Sequence, residues 1–431
     1  MDFLSNLGIF IGQNAVIDFI NQFFSWLIPE EGVTPGLILN ISLLAILVVF
    51  VDLFRSISKG FLLGLYELYR RYRPLALPTS NFPKISILIP AHNESAAIRK
   101  TIQSILDNPY PNKEIIVIDD HSKDNTYEIA SAFSDKGLIK LIKRMEGKGS
   151  KSGAVNYGAV FATGDYMIVI DGDTVIERTA LSEMARHLSA PNVIAGLGIV
   201  RVLGGDGGVN NLLTKLQEFE YLIAFEIGRR FNSLFNLLII IPGAFSIFST
   251  KSAKKVGLFD KDTITEDFDI AIKLHKVKGD IAFIPEARAW TYCPNNLKAW
   301  MRQRIRWSHG QLAVLAKHRD ASRQAYQHHL RLSFYDMVAI DVVLLFLRLS
   351  GFVILLFSNT QHIIFTMAFI LFLYHINETI SFFTSIALAK DKNKLKYFYL
   401  IPVMVLFYRP LYSAIRIYAY IKWIFGSEIK W

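Results

Sequence analysis

The chain has 431 residues, of which 52% are hydrophobic, and its formal net charge is +10. This apolar content is too high for a purely soluble protein of that size, so we expect membrane-spanning helices. The single cysteine, Cys293, excludes an intramolecular disulfide and a cysteine-rich metal cluster. The sequence has no zinc-binding spacing, no helix-turn-helix pattern and no recurring basic tract interleaved with aromatic residues, which argues against nucleic acid as a partner. The positive charge instead indicates anionic lipid or a phosphate-bearing substrate.

The N-terminal part, residues 1–82, predicts a membrane region. Residues 7–28 are apolar but carry five Asp, Asn and Gln residues, so they predict a helix at the membrane interface, with a true span as the alternative. Residues 36–54 are a better candidate for a span, and the basic stretch 55–73 follows it. Lys and Arg are absent from residues 1–54, which argues against an ordinary secretory signal. By the positive-inside rule, the chain enters the cytoplasm at the basic stretch.

Residues 83–320 predict a cytosolic α/β domain, because strand and helix patterns alternate there as they do around largely parallel sheets. The predicted strands are 85–89, 115–118, 139–142 and 167–170, and the predicted helices are 94–106, 127–133 and 149–161. Three of the strands are followed by polar clusters, which are Asn93 with Glu94, Asp119 with Asp120, and Asp171 with Asp173. In open sheets of this kind a ligand binds beyond the carboxyl ends of the strands, so we expect one site there.

The chemistry of these clusters fits a nucleoside diphosphate. Asp119 is expected to accept hydrogen bonds from a base or a ribose, and Lys151 to contact phosphate oxygens. Asp173 is expected to hold Mg²⁺ or Mn²⁺ between phosphates. Two simpler interpretations remain open, an ordinary acidic turn at 171–173 and a mobile basic loop at 147–153, which lacks the P-loop signature.

Six short segments follow one another along the domain and just beyond its sheet. They are SILIPAHNE (86–94), VIDDHSKDNT (117–126), KSGAVN (151–156), DGD (171–173), ITED (264–267) and QRIRW (303–307). In this order they resemble the motifs of family 2 glycosyltransferases with the GT-A fold. The last two resemble the T-E-D and Q-x-x-R-W motifs of the membrane-embedded, processive members, which make cellulose, hyaluronan, chitin oligosaccharide and poly-N-acetylglucosamine. The resemblance implies a Rossmann-like, mostly parallel GT-A domain inserted between transmembrane and interfacial helices.

The resemblance also implies roles for individual residues. Those implied in catalysis are Asp267, Glu266, Arg306, Trp307 and Gln303, those implied in nucleotide-sugar binding are Asn93, Glu94, Asp119, Lys151, Asp171 and Arg304, and the implied metal ligand is Asp173. Asp267 is the implied general base, which takes the proton of the acceptor hydroxyl. From spacing alone, Asp267 equally fits a residue that stabilises a helix start, and residues 298–312 equally fit a basic amphipathic helix at the membrane surface.

The remaining segments predict more membrane contacts. Charged residues interrupt the apolar character of 212–241, which predicts a second interfacial helix. The C-terminal region, 335–431, has candidate spans at 337–357, 363–389 and 398–421. Polar residues inside these spans are interpreted either as structural ion pairs or as the lining of a polymer tunnel; they are Asp341, Arg348, His375, Asn377, Glu378, Arg409 and Arg416.

The resulting hypothesis is an inverting, metal-dependent hexosyltransferase of the plasma membrane with a cytoplasmic catalytic domain. It extends and exports a β-linked polysaccharide from a UDP-sugar, for which UDP-N-acetylglucosamine is the best candidate. The expected partners are the polysaccharide or a lipid acceptor, membrane lipids, and small accessory membrane or export proteins. Two alternatives remain open, a non-processive transferase that acts on a lipid or polyprenyl phosphate, and a channel or transporter with a nucleotide-sugar-sensing domain. Motif spacing does not determine the sugar.

Overall fold

The computed structural model describes residues 33–73, 82–145, 150–204, 210–323, 326–355 and 360–426, without the side chains of 33–45 and 351–363. The predicted interfacial helix at 7–28 lies outside the described residues. The first helix, α1 (Val33–Tyr72), continues without interruption through the predicted span at 36–54 and most of the basic stretch.

An eight-stranded sheet forms the centre of the α/β domain. Its strands are β1 (Ile85–Ala91), β2 (Lys113–Asp119), β3 (Lys140–Lys143), β4 (Tyr166–Ile170), β5 (Thr174–Ile176), β6 (Val193–Val202), β7 (Phe245–Ser249) and β8 (Asp280–Thr291). They lie in the order β3-β2-β1-β4-β7-β6-β8-β5. Strands β1 to β4 pair in parallel, and so do β6 and β8, whereas β7 runs antiparallel to both of its neighbours and β5 antiparallel to β8. The predicted mostly parallel sheet is confirmed, and the four predicted strands are β1 to β4.

The strands of the parallel half are apolar because both faces of the sheet are covered by helices. Every residue of β1 is buried, as are the last five of β2. The covering helices are α2 (Ile98–Leu106), α3 (Thr126–Ser134), α4 (Lys151–Val160) and α5 (Ala180–Leu188). Helix α2 begins four residues later than the predicted start at Glu94. The amides of Glu94 and Ser95 instead donate to the side chains of Thr126 and Asp124 across the sheet edge.

A helical segment between β6 and β7 lies against the helices outside the domain. It consists of α6 (Leu212–Ile223), a π-helical turn (Ala224–Arg229) and α7 (Arg230–Leu234). The predicted helix over 212–241 is therefore too long, because it ends at Leu234. Asn236 has a φ of +53°, a left-handed conformation that is common where a helix ends. The following residues Leu238 and Ile241 are fully buried in the domain core, which holds that segment away from a helical path.

Two further helices of the domain carry the T-E-D and Q-R-I-R-W segments. After α8 (Thr250–Lys255), these are α9 (Glu266–Lys276) and α10 (Leu297–Lys317), which is longer than the predicted 298–312. Asn296 caps α10, because its side chain accepts a hydrogen bond from the Ala299 amide at 2.9 Å. Phe268 and Ile272 of α9 share an apolar cluster with Val314 of α10.

The C-terminal region is helical. Its elements are α11 (His328–Met337), a π-helical turn (Val338–Val343), α12 (Leu344–Leu355), α13 (Thr360–Ala389), a 3₁₀ segment (Lys392–Leu400), α14 (Ile401–Val403), a second π-helical turn (Met404–Tyr408) and α15 (Arg409–Ile424). Two segments of the described residues are long and apolar enough to cross a membrane, Ile364–Ala389 and Lys392–Ile424. They include the predicted spans at 363–389 and 398–421 almost entirely. The predicted spans at 36–54 and 337–357 lie partly among undescribed side chains and stay predictions.

Helices α1 and α13 pack side by side and run in the same direction. Gly60 faces Thr384, whose side chain lies 3.2 Å from the position of a Cβ built on Gly60. Further along both helices, Glu67 lies 3.8 Å from the Lys390 ammonium. Residue 60 of α1 is therefore level with the apolar segment of α13.

Candidate active site

The carboxyl ends of β1, β2 and β4 lie side by side at one edge of the sheet. Ala91 at the end of β1 pairs with Asp119 at the end of β2, and Leu88 of β1 pairs with Val169 of β4. Because β1 lies between β2 and β4, the polar residues that follow all three strands come together. Asn93 takes a left-handed conformation, and its side-chain oxygen accepts a hydrogen bond from the Lys123 amide at 2.8 Å. This contact fixes the loop that carries Glu94.

Asp119 is a buried carboxylate without a partner among the described residues. Asp119 is 1% exposed, and neither of its side-chain oxygens accepts a hydrogen bond from the described residues. The neighbouring Asp120 is satisfied, because the Arg144 guanidinium donates to both of its oxygens at 3.0 and 3.1 Å. A buried charged group without hydrogen bonds is costly, so Asp119 is suited to accept hydrogen bonds from a ligand.

Lys151 joins three of the predicted site segments. Its ammonium forms an ion pair with Asp171 and donates a hydrogen bond to the Gly243 carbonyl at 3.0 Å. The Gly243 amide in turn donates to Oδ2 of Asp267 at 3.1 Å. Lys151 lies in the first turn of α4, where the side chain of Ser150 accepts a hydrogen bond from the Gly153 amide. Through Gly243, the structure therefore brings together Lys151, Asp171 and Asp267.

Asp173 and its acidic neighbours suit a divalent cation. Oδ1 of Asp173 accepts hydrogen bonds from Thr291 at 3.0 Å and Thr174 at 3.3 Å. Burial, with a contribution from Asp171, raises the pKa of Asp173 to about 6. Burial and the charges of Asp173 and Asp171 likewise raise the pKa of Glu94 to about 8. Crowded carboxylates of this kind are stabilised by added positive charge.

The donor set matches the small number of protein ligands that Mg²⁺ uses with phosphates. Groups of three or more His, Cys, Asp or Glu placed to hold a metal are absent from the described part of the chain. Mg²⁺ bound together with substrate phosphates needs only one or two carboxylates, because phosphate and water oxygens complete its shell. Asp173 and Asp171 meet that requirement.

Asp267 and Glu266 occupy the first turn of α9, where negative charge is favoured by the helix dipole. Oδ1 of Asp267 accepts a hydrogen bond from the Phe268 amide at 2.8 Å. Burial raises the pKa of Asp267, while Lys151 and Arg306 oppose that rise. Burial also raises the pKa of Glu266, to about 7, again against the opposing charge of Lys151. The two carboxyls thus combine raised basicity with nearby cations.

The Q-R-I-R-W segment lies on α10, and its two arginines have different surroundings. Arg304 is fully buried and forms an ion pair with Glu220 of α6 at 2.6 Å. Its guanidinium lies over the Trp307 ring at 4.2 Å and within 3.4 Å of the Tyr408 hydroxyl. Arg306 is half-buried and acts electrostatically on Asp267. The structure therefore places Arg306 near the carboxylates, whereas Arg304 contacts α6, the C-terminal helices and the Trp307 ring of its own helix.

Gln303 and Trp307 are half-buried beside these arginines, and Oε1 of Gln303 has no hydrogen-bond partner among the described residues. An unsatisfied amide oxygen next to an aromatic face fits a sugar hydroxyl and a sugar ring.

Comparison with known proteins identifies the domain. The family described as "Glycosyl transferase family 2" matches residues 86–257. Residues 86–257 are a family 2 glycosyltransferase domain. The match begins in β1 and ends after α8, so it includes Asp119, Lys151, Asp171, Asp173 and Gly243 but not α9 and α10.

Relatives of this glycosyltransferase domain include two staphylococcal enzymes. A poly-β-1,6-N-acetyl-D-glucosamine synthase of Staphylococcus epidermidis is 34% identical over 234 residues, which are 54% of this chain and 56% of that protein. The synthase of the same name from Staphylococcus aureus strain COL is 29% identical over 268 residues, 61% of this chain and 64% of that protein. The chain thus matches less than two thirds of the length of either relative.

A solved structure shows the same fold. The mannosyltransferase PcManGT from Pyrobaculum calidifontis, in complex with GDP-Man and Mn²⁺, superposes with a TM-score of 0.60 at 16% identity. The superposition covers 90% of this chain and 100% of PcManGT. The glycosyltransferase domain therefore has the GT-A-like architecture that the motifs imply.

Gly243 lies in the segment Pro242-Gly243-Ala244-Phe245, which resembles a loop near the acceptor terminus in family 2 glycosyltransferases. A Cβ there would lie 2.8 Å from the Lys151 ammonium and 3.6 Å from Oδ2 of Asp267. Any side chain would separate these two charged groups from the backbone that joins them. Neither this resemblance nor the turn that the Pro242-Gly243 pair predicts indicates that Gly243 joins Lys151 to Asp267.

Proposed function

We propose that the chain is a membrane polysaccharide synthase that transfers a sugar from a UDP-sugar to the growing end of a β-linked polysaccharide. The observation that carries the proposal is the Gly243 bridge, which joins Lys151 and Asp171 to Asp267. A donor-binding lysine and a base that acts on the acceptor must lie this close for direct transfer. The names of the staphylococcal relatives support UDP-N-acetylglucosamine as the donor.

The donor binds at the edge formed by β1, β2 and β4. Asp119 accepts hydrogen bonds from the uracil base or the ribose, and Lys151 donates to diphosphate oxygens. Asp173, with Asp171 beside it, holds Mg²⁺ or Mn²⁺, whose charge would offset that of the departing diphosphate. Asn93 and Glu94 lie in the loop after β1, and a Cβ built on Gly172 would lie 2.9 Å from the Glu94 side chain.

Asp267 acts on the acceptor. It removes the proton of the acceptor hydroxyl while that oxygen forms a bond to the anomeric carbon, and the bond from that carbon to the diphosphate breaks. Attack opposite the leaving group inverts the configuration, UDP departs with the bonding electrons, and Asp267 keeps the proton until solvent takes it. Glu266 and Arg306 set the charge around Asp267, while Trp307 and Gln303 hold the acceptor sugar.

The helices outside the domain support a position in the plasma membrane with the catalytic domain in the cytoplasm. The lysine-rich loop after α13 and the basic end of α1 lie together, as the Glu67–Lys390 pair shows. Clusters of Lys and Arg beside apolar helices are typical of the cytoplasmic side. Two apolar segments of the described residues are long enough to span a bilayer.

Several of the charged residues in the C-terminal spans form ion pairs. Arg348 pairs with Asp52 of α1 at 2.6 Å, Arg409 with Glu378 at 2.9 Å and Arg416 with Asp341 at 3.2 Å. These pairs support the structural interpretation of those residues, since pairing lowers the cost of charge in lipid. The lining of an export path remains a proposal for the neighbouring polar groups, including Asn377, whose side-chain oxygen has no partner among the described residues.

Release of UDP by the purified protein tests this proposal. We expect release from UDP-N-acetylglucosamine with Mg²⁺ or Mn²⁺, little from other nucleotide sugars, and none after chelation of the metal. Asp267→Asn should lower the rate roughly 10²- to 10⁴-fold and leave UDP binding intact. Absence of release from every nucleotide sugar, with a folded protein that binds UDP, would contradict catalysis and favour a sensing domain.

A further inference from the structure

A fully buried aspartate lies two residues beyond the proposed base. Oδ1 of Asp269 accepts hydrogen bonds from Nε2 of His318 at 2.9 Å and from the Lys317 ammonium at 3.0 Å. Lys317 is the last residue of α10, and His318 follows it directly. Asp269 therefore ties the first turn of α9 to the end of α10. Its burial makes these polar contacts directional and costly to lose.

The hydrogen bonds of His318 define its tautomer. The Lys276 ammonium, which can only donate, lies 2.9 Å from Nδ1 of His318, so Nδ1 accepts. Nε2 then carries the ring proton and donates it to Asp269. Lys276 also donates to both oxygens of Asp320 at 2.8 Å. The contacts connect Asp269 of α9 to His318 at the end of α10. They continue from His318 to Lys276 of α9, and from Lys276 to Asp320 in the turn that follows α10.

A second contact joins the two helices nearer the catalytic residues. Gly310 of α10 is buried against Thr265, which immediately precedes α9. A Cβ built on Gly310 would lie 2.5 Å from the Thr265 methyl group and 2.6 Å from its hydroxyl oxygen. Gly310 lies one helical turn beyond Trp307, and Thr265 lies two residues before Asp267. The close approach thus sets the spacing next to the reacting groups.

Two contacts at different positions along α9 and α10 fix the register and angle of the two helices as well as the distance between them. The apolar cluster of Phe268, Ile272 and Val314 favours burial but does not by itself select one register. The Gly310–Thr265 approach sets the separation, and the Asp269–His318 hydrogen bond sets the register and the angle. Asp267 belongs to one of these helices, and Arg306 and Trp307 belong to the other.

We propose that Asp269, His318 and Gly310 are positioning residues that hold the base Asp267 in register with the acceptor-binding side chains of α10. They do not touch substrate in this proposal, and they act by holding α9 against α10. The inference rests on the proposed function, because it assigns the geometry of the same transfer step. The inference also predicts, independently of activity, that His318 restrains the start of α9.

The experiment compares His318→Ala and Asp269→Asn with two matched controls. His318→Gln keeps a donor for Asp269 and an acceptor for Lys276. Asp262→Asn removes a carboxylate that also pairs with Lys317, at 2.8 Å, but that is 68% exposed. For each variant the kcat and the KM for the UDP-sugar are measured, together with UDP affinity and amide hydrogen exchange of residues 265–270.

We expect His318→Ala and Asp269→Asn to lower kcat by about tenfold to a hundredfold, because small displacements of a base have effects of this size. The KM for the donor and the UDP affinity should stay within about twofold of the wild type, since the donor residues lie on other elements. Amide exchange of residues 265–270 should rise in both variants. His318→Gln and Asp262→Asn should resemble the wild type in every measurement.

The variant Gly310→Ala tests the contact between α9 and α10 without changing the buried charges. It should lower kcat in the same selective way, and the added change Thr265→Ser, which removes the contacting methyl group, should restore part of the loss. Unchanged kcat in His318→Ala, or a loss of kcat matched by an equal loss of UDP-binding protein, would overturn the inference. Absence of UDP release in the wild type would instead contradict the proposed function, while the exchange measurement would still report on the contact between α9 and α10.

Discussion

Asp119 and Asp120 are adjacent acids with opposite environments, and the difference predicts opposite effects of mutation. Asp120 is paired with Arg144, whereas Asp119 is buried without a hydrogen bond among the described residues. An unpaired buried charge lowers stability until a ligand supplies its partners, as is common at functional sites. Asp119 is therefore expected to lower the stability of the free protein and to raise its affinity for the donor.

The matched pair of variants tests this expectation. Asp119→Asn should raise the melting temperature of the free protein and weaken UDP binding roughly tenfold, because a hydrogen bond to a charged group contributes about 1.5 to 3 kcal/mol. Asp120→Asn should lower the melting temperature, because it leaves the Arg144 charge buried without its partner. Differential scanning fluorimetry and UDP titration measure both quantities. A lower melting temperature in Asp119→Asn would contradict the role assigned to this residue.

The raised pKa values of Glu266 and Asp267 predict opposite trends of stability and activity with pH. Burial raises this pKa from 4.5 to about 7, so the folded state binds the proton more tightly than the unfolded state does. Stability from this group is then fully present below about pH 4.5 and is lost as pH rises toward 7, by about 3 kcal/mol in total. Activity should rise with pH, because burial raises the pKa of the neighbouring base Asp267, which must be ionised to take the proton.

The variant Glu266→Gln isolates this contribution. The difference in unfolding free energy between the wild type and Glu266→Gln should change between about pH 4.5 and pH 7, with the wild type losing stability as pH rises, and should level off above pH 7. Chemical denaturation across that range measures it. If the difference is independent of pH, Glu266 does not have the raised pKa that its burial implies.

At the scale of single residues, sequence patterns predicted the cluster of polar residues at the strand ends but not the surroundings of the Q-R-I-R-W segment. Asp119 ends the apolar strand β2, and Asp171 and Asp173 follow β4. Strand ends can be recognised in the sequence, and the register of the sheet brings these ends close together. Arg304 illustrates the opposite case. Its partner Glu220 lies 84 residues away on another helix, and a motif that is contiguous in sequence does not show which of its arginines faces inward.

Among the secondary-structure elements, the strands that the sequence predicts are the four parallel strands β1 to β4. β1 to β4 are short apolar runs joined by helices, which is the pattern of a parallel sheet. β7 inserts antiparallel between β4 and β6, and this depends on contacts between distant segments that local periodicity does not record. The end of α7 at Leu234 has a similar cause, since burial of Leu238 and Ile241 prevails over their helical spacing.

Helix α1 predicts a membrane contact that extends beyond residue 54. Phe54, Ile57, Phe61, Leu65 and Leu68 are exposed at intervals of three or four residues, which places them on one helix face. The opposite face contacts the protein, where Leu63 is fully buried and Gly60 meets Thr384. Since Thr384 belongs to the apolar segment Ile364–Ala389, we expect lipid to cover the exposed face at this level.

Spin labels on α1 test this expectation in a Cys293→Ser background. A label at position 61 should be accessible to molecular oxygen but shielded from a water-soluble paramagnetic reagent in lipid nanodiscs. A label at position 72, where Tyr72 is 81% exposed near the basic end of α1, should show the reverse. Equal access of the water-soluble reagent to both positions would contradict the lipid contact, and shielding of position 61 from both reagents would indicate a protein partner instead.

At the scale of the whole molecule, an ionic network that is buried at Glu226 and exposed at Lys390 connects the catalytic domain to the helices around it. Glu226, in the π-helical turn, pairs with Arg201 of β6 at 2.6 Å and with Arg230 of α7 at 2.5 Å. Arg230 also pairs with Glu67 of α1 at 3.3 Å, and Glu67 with Lys390 beyond the end of α13. These contacts fix the domain relative to helices on both sides of it in sequence.

The length of the product made from UDP-N-acetylglucosamine tests the central claim most directly. The purified protein in proteoliposomes, with Mg²⁺ or Mn²⁺ and the radiolabelled donor, should release UDP and form a polymer of many residues that β-N-acetylglucosaminidase digests. Asp267→Asn should form none. A product that carries a single sugar on a lipid or polyprenyl phosphate, with no longer chain at any donor concentration, would contradict polysaccharide synthesis and identify the protein as a non-processive transferase.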